Sequence, residues 1–302
     1  MDNAAPIPAA STAAPHDSGY KLLFSHPEMV RDLLLGFVHE GWVGRLDFST
    51  LERVSGSYVG DDLREREDDI IWKVLLGETW LYIYILLEFQ SSVDPFMALR
   101  MTDYVASLYQ DLRKGGQLAE KSLPPILPLV LYNGTRRWNA PIELSEMITP
   151  VPELDRYRPH MRYLLLDARA MSESELEPLR NLAGALFRLE RSRSVREFQE
   201  VVRFLAAWLG SPEQASLRRA FTVWMRRTLF PKRLNRREFP EMSDLHEVNT
   251  LLEEDDIDWT REYRETGWRE GRQEGLQVGR QEGRQEGRQE GRQEGRQEGR
   301  QE

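Results

Sequence analysis

Residues 64–90, REREDDIIWKVLLGETWLYIYILLEFQ, decide how the rest of the chain is read. Two apolar runs flank the pair Gly77-Glu78. Ile70, Ile71, Trp72 and Val74 supply β-formers to the first run, and residues 79–89 are rich in aromatic and β-branched side chains. A short Gly-containing joint between such runs predicts a β-hairpin. Unbroken apolarity from Leu81 to Leu87 predicts that the second strand is central and covered on both faces. Acids stand at the ends of these apolar strands: Asp69 opens the first, and Glu88 and Gln90 close the second. Antiparallel pairing sets the start of the first strand beside the end of the second, which brings Asp69 to Glu88. Alternation sends Glu88 and Gln90 to one side and Phe89 into the core. Asp68 adjoins Asp69, and a slip of one residue would turn the wrong acid outward.

Working outward, residues 1–15 are rich in Ala, Pro and Ser without apolar periodicity, and a disordered N-terminus is expected. From residue 16 on, Tyr20, Leu23, Phe24, Met29, Val30, Leu33, Leu34 and Phe37 recur at helical spacing, and a helix is expected over 27–38. Residues 46–59 do not decide between strand and loop; an edge strand is placed near 53–59. Met97, Met101, Tyr104, Val105 and Leu108 predict a helix over 96–113, ended by Gly115-Gly116. Residues 126–132 read as a buried strand, in which Pro128 argues for a kink or a nearby edge. A short strand over 163–166 and helices over 174–189, 195–209 and 214–229 follow. The order predicts an α/β domain, a mixed sheet with helices packed on its faces.

The chain has 302 residues, of which 40% are hydrophobic, enough for one large core or two modest ones. Its longest apolar run is far short of the roughly 20 residues of a membrane span. With no basic, apolar leader and no cysteine, disulfides and thiolate metal sites are excluded and a cytoplasmic location is expected. The net charge of -9 argues against indiscriminate adhesion to nucleic acid. A basic stretch nevertheless holds Arg218, Arg219, Arg226, Arg227, Lys232, Arg233, Arg236 and Arg237, followed by an acidic run from Glu241 to Asp258. Two readings stand: a local phosphate-binding face, or two oppositely charged helical faces that answer each other.

The end of the chain, from Gly279, is six copies of GRQE. Glycine at every fourth position costs a helix about 1 kcal/mol each relative to alanine, and this period stacks like charges at i,i+4. Disorder or a marginal helix is expected, with self-association through Arg and Glu rows as the alternative. The division is a disordered 1–15, a folded 16–235, an acidic helical linker over 236–266 and the repeat tail over 267–302.

Phosphodiester cleavage needs an activated water and stabilisation of the charge on phosphate. A hard divalent cation held by carboxylates supplies both. Against that chemistry, HDSGYKLLFSHPEMVRDLL, REREDDIIWKV, YIYILLEFQSSVDPFMALRMTDY and PPILPLVLYNG resemble the Rpn (recombination-promoting nuclease), or YhgA-like putative transposase, family. The resemblance covers roughly residues 16–230. That family lies within the PD-(D/E)XK nuclease group, so the resemblance implies a restriction-endonuclease-like fold, a magnesium ion, DNA as substrate, and a part in recombination or mobile elements. It implies Asp69 and Glu88 as metal ligands, with Gln90 where the wider group carries lysine. A neutral amide hydrogen-bonds water but brings no charge.

Lesser candidates are Glu28, a third acid or a solvated glutamate at a helix start, and Arg100 with Tyr104, four apart on one helix face. Arg226, Arg227, Lys232 and Arg233 are candidate DNA contacts. The five histidines show no metal-ligand spacing. Two function classes result: a magnesium-dependent DNA endonuclease, or a catalytically silent DNA-binding and assembly protein on the same scaffold.

Overall fold

Propensity and patterning both place the hairpin, and it forms where they put it. In a computed structural model, the described residues are 15–54, 69–88, 93–118, 122–134, 136–172, 176, 181–192, 194–233, 239–242, 244–254 and 272. Helices α1 (Pro15–Leu23) and α2 (Pro27–Phe37) lead into strands β1 (Leu46–Arg53), β2 (Asp69–Leu76) and β3 (Thr79–Glu88). Helix α3 (Met97–Lys114), strand β4 (Ile126–Tyr132) and strand β5 (Leu164–Asp167) follow. Then come α4 (Leu182–Arg191), α5 (Val195–Trp208), α6 (Ala215–Trp224), a π turn (Met225–Leu229), α7 (Phe230–Arg233) and α8 (Leu245–Glu254). The GRQE repeats from Gly279, the N-terminal 14 residues and Gln90 lie outside the described residues.

The sheet has five strands in the order β1-β2-β3-β4-β5. β2 and β3 pair antiparallel from Asp69 opposite Leu86 to Leu76 opposite Thr79. Gly77 turns the chain at φ 63, a left-handed backbone that only glycine adopts without strain. β4 and β5 add parallel strands beyond β3, so the sheet is mixed.

Both faces of the sheet are buried, which explains the unbroken apolar run in β3. Ile70, Trp72, Val74, Ile83, Ile85, Leu87, Leu129 and Leu131 join the core under α1, α2 and α4–α6. Ile71, Tyr82, Tyr84, Leu86 and Val130 join a second core under α3 and residues 138–147. The acidic segment's helix α8 buries Leu245, Val248 and Leu252 in the first core. Among the described residues no helix is long and apolar enough to cross a membrane.

Three sequence expectations shift. The edge strand spans Leu46–Arg53, and residues 55–59, where most of it was expected, lie outside the described residues. Its register slips between Asp47 and Glu52, and polar side chains fill the irregularity: Thr50 Oγ1 accepts the Leu75 N–H at 3.0 Å, and Ser49 Oγ donates to Asp47 at 2.6 Å. A bulge breaks the period-2 pattern, which is why alternation gave no decision there. Pro128 lies in an interior strand, yet at its position β5 has not begun, because β5 pairs only from Leu129 onward. Pro125 C=O accepts from Tyr82 N–H, and Tyr132 C=O accepts from Ala168 N–H, so even-numbered residues of β4 turn their backbone groups toward β5. The N–H that Pro128 lacks therefore has no ladder partner to miss. The helix expected over 174–189 is interrupted at Asn181: α4 starts at Leu182, where Asn181 Oδ1 accepts the Gly184 N–H at 2.6 Å and caps it, while residues 173–175 and 177–180 lie outside the described residues.

That cap is anchored from α2. Asp32 is buried, its Oδ2 accepting the Leu182 N–H at 2.7 Å and its carbonyl accepting Asn181 Nδ2 at 3.1 Å. Asp32→Ala leaves the Leu182 N–H buried without its acceptor and is expected to cost about 2 kcal/mol. The urea midpoint checks it, with an unchanged m-value as the sign that only stability moved.

Candidate active site

The parallel strands and the hairpin end together. Glu88 lies opposite Tyr132, and Tyr132 opposite Asp167, so the last residues of β3, β4 and β5 share one end of the sheet. Asp69, opposite Leu86, begins β2 at that same end. The positions 69 and 88 are thus on adjacent strands, two residues apart in register. Strand parity puts both on the second face: 69 alternates with Ile71, and 88 with Leu86 and Tyr84.

Neighbouring strands lie about 4.8 Å apart and diagonal same-face positions about 7–8 Å, which is the spacing of positions 69 and 88. Asp167 is two strands from Glu88, roughly 10 Å away. Its Oδ1 is taken by the Arg169 and Ala170 N–H groups at 3.1 and 3.2 Å, which makes it a turn former. Among the described residues no three His, Asp or Glu side chains converge, but the side chains of Asp69 and Glu88, and all of Gln90, lie outside that set. An all-oxygen donor pair without thiolates suits magnesium better than zinc or copper.

Helix α3 crosses the face that carries these positions. Tyr104 stacks on Tyr84 with ring centroids 5.6 Å apart, and the Arg100 guanidinium sits 5.7 Å from the Tyr104 ring. Arg100 also pairs with Asp94 at 3.4 Å, an acid that accepts the Phe96 N–H at 2.8 Å and shapes the start of the helix. The expectation that Arg100 and Tyr104 share one surface therefore holds, with Tyr104 half-buried as a platform.

Glu28 belongs to the opposite face, in the first turn of α2. Its charge raises the pKa of half-buried His26, against the larger lowering effect of burial. Three cations of the basic stretch are engaged. Arg218 pairs with Asp244 at 3.0 Å and Arg226 with Glu241 at 3.8 Å. Arg233 donates to the Ser192 carbonyl at 2.7 Å and to the Glu190 carbonyl, closing the end of α4. Arg227 is exposed, while the side chain of Lys232 lies outside the described residues. Of the two readings of this stretch, the structure favours oppositely charged segments answering each other.

One polar cluster escaped the sequence reading. The buried Tyr20 hydroxyl donates to the Glu190 carboxylate, and Asn133 Nδ2 donates to Tyr20 Oη at 3.0 Å and to Glu190. Burial and the Glu190 charge push the tyrosine well above its ordinary range. The cluster ties α1 and α4 to the residue that follows β4. Asn133-Gly134 directly after an apolar strand was the available signal, but its partners lie 113 and 57 residues away.

Comparison with known proteins bears on the family of the chain. The profile of a family described as "Putative transposase, YhgA-like" matches residues 14–217. Recombination-promoting nuclease RpnA of Escherichia coli (strain K12) is 29% identical over 201 residues, 66% of this chain and 67% of the relative. Recombination-promoting nuclease RpnD of Escherichia coli O157:H7 is 28% identical over 176 residues, 57% of this chain and 66% of the relative. A third relative, 27% identical over 175 residues (58% of this chain and 57% of its own length), is named Inactive recombination-promoting nuclease-like protein RpnE, also from strain K12. The chain thus spans about two thirds or less of the length of these three relatives. No solved structure matches it.

Proposed function

Since the chain belongs to the YhgA-like putative transposase family, we propose that it is a metal-dependent DNA endonuclease acting in recombination or on mobile elements. The register that brings positions 69 and 88 to one end and one face of the sheet is the observation that carries this reading. Asp69 and Glu88 would hold a magnesium ion, and the two carboxylates fit it as hard oxygen donors. When bound, such an ion supplies an acidified water and charge stabilisation on the phosphate. Gln90 orients the attacking water through its amide, without the charge that lysine would bring. Arg100, propped on Tyr104 and Tyr84, meets a phosphate flanking the scissile bond, exchanging Asp94 for it.

Removal of the metal tests the reading. Purified protein with magnesium is expected to nick supercoiled plasmid, and excess chelator is expected to return cleavage to background, with recovery when magnesium is added back. Cleavage that persists unchanged in chelator would sink it.

A second reading, a DNA-binding and assembly protein without cleavage, is favoured by the relative that is named inactive and by the neutral Gln90. Binding to DNA with no magnesium-dependent nicking would decide for it.

A further inference from the structure

We propose that Arg136 and Arg137, on the turn that follows β4, are the side chains that bind phosphates of duplex DNA and seat it over the Asp69–Glu88 end of the sheet. The proposal rests on the nuclease reading above. Two carboxylates repel a phosphodiester backbone, and the whole chain carries a net charge of -9. DNA reaches such a site only where cations stand beside the acids. Tyr132 is the register partner of Glu88, so whatever the turn after β4 presents lies next to the candidate site.

That turn is held from several directions. The Tyr132 hydroxyl donates to the Arg136 carbonyl at 2.8 Å, folding the chain back over its own strand end. Gly134 lies so close that a Cβ there would stand 2.2 Å from Tyr132 Oη. Trp138 packs edge-on against Tyr132 with centroids 4.8 Å apart, and its Nε1 donates to Ala140 O and to Tyr163 Oη at 3.2 and 3.1 Å. Asn133 is fastened to Tyr20 and Glu190. The backbone is thus fixed while the arginines are not: both are exposed, and neither makes an ion pair among the described residues. The other arginines near charged partners are spoken for, Arg100 by Asp94, Arg158 by Asp155, Arg162 by Glu143, Arg218 by Asp244 and Arg226 by Glu241. Two guanidinium groups with no ion pair among the described residues, on neighbouring positions of a turn anchored at Asn133, Arg136 and Trp138, match phosphates spaced along one strand.

The test is the salt dependence of binding to a short labelled duplex, followed by fluorescence anisotropy in chelator so that no cleavage intervenes. R136Q/R137Q is expected to flatten the slope of log K against log [salt] by about 1.8, the release of two phosphate contacts, and to weaken binding roughly tenfold or more near 0.1 M salt. R136K/R137K, which keeps the charge, should retain the slope. R196Q/R203Q, the same charge change on exposed positions of α5, should also retain it. A slope for R136Q/R137Q equal to that of the α5 control overturns the proposal. Plasmid nicking by the wild type separates the two levels. If it nicks while R136Q/R137Q binds normally, only this assignment falls. If the wild type neither binds nor nicks, the nuclease reading and this assignment fall together.

Discussion

Replacing Asp69 by Asn, or Glu88 by Gln, is expected to lower plasmid nicking by roughly a thousandfold or more while the protein stays folded. Each change removes one negative oxygen donor and keeps the shape of the side chain. A hard divalent ion held by two carboxylates loses most of its affinity when one becomes a neutral amide. Metal assistance is worth several kcal/mol at a phosphoryl centre, and each 1.36 kcal/mol is a factor of ten. Stability should hardly move, because both residues are the terminal positions of their strands and each substitution keeps the shape of the side chain. Activity is read as initial nicking rate, fold as the urea midpoint. A variant that nicks at the wild-type rate removes that residue from the site. Loss of both activity and cooperative unfolding would instead mark a structural role.

Gly134→Ala is expected to destabilise the domain by about 3 kcal/mol, at the upper end of what overpacking costs. A Cβ there would stand 2.2, 2.3 and 2.4 Å from Oη, Cζ and Cε2 of Tyr132, and that side chain is fully buried. Neither side can yield cheaply. The ring is held by Trp138 and by its bond to the Arg136 carbonyl, and the backbone is held by Asn133. The turn must therefore move, and Arg136 and Arg137 move with it. Duplex binding should fall along with the urea midpoint, whereas Asp32→Ala should lower the midpoint alone. Gly134→Ala with wild-type stability would mean that the turn relaxes without cost, and that its close packing does not hold the arginines in place.

How legible the molecule was varies from element to element. The β2–β3 hairpin could be read residue for residue, because β-propensity, the Gly77 turn and the charges at the strand ends all favoured one register. Helices α2, α3 and α5 were legible from periodicity, and Ser194 caps α5 through the Glu197 N–H at 3.2 Å. β1 was not, because a bulge filled by Asp47, Ser49 and Thr50 carries no alternation. The start of α4 was not, because its cap depends on Asp32, 150 residues earlier.

The candidate site divides the same way. Sequence by itself determined which acids close the strands and that the hairpin brings them together, since antiparallel pairing and a period of two are local properties of the backbone. Only the tertiary structure decided the sheet order, the face beneath α3 on which positions 69 and 88 lie, and the folding of the turn that carries Arg136 back onto Tyr132, the register partner of position 88. It also decided which arginines are neutralised: Asp244 and Glu241 occupy two of the basic stretch, while Arg136 and Arg137 are left open to solvent. The physical reason is range. Propensity and alternation act within a few residues, whereas burial, ion pairing and the Tyr20–Asn133–Glu190 cluster join residues far apart in the chain, and no local pattern carries those distances.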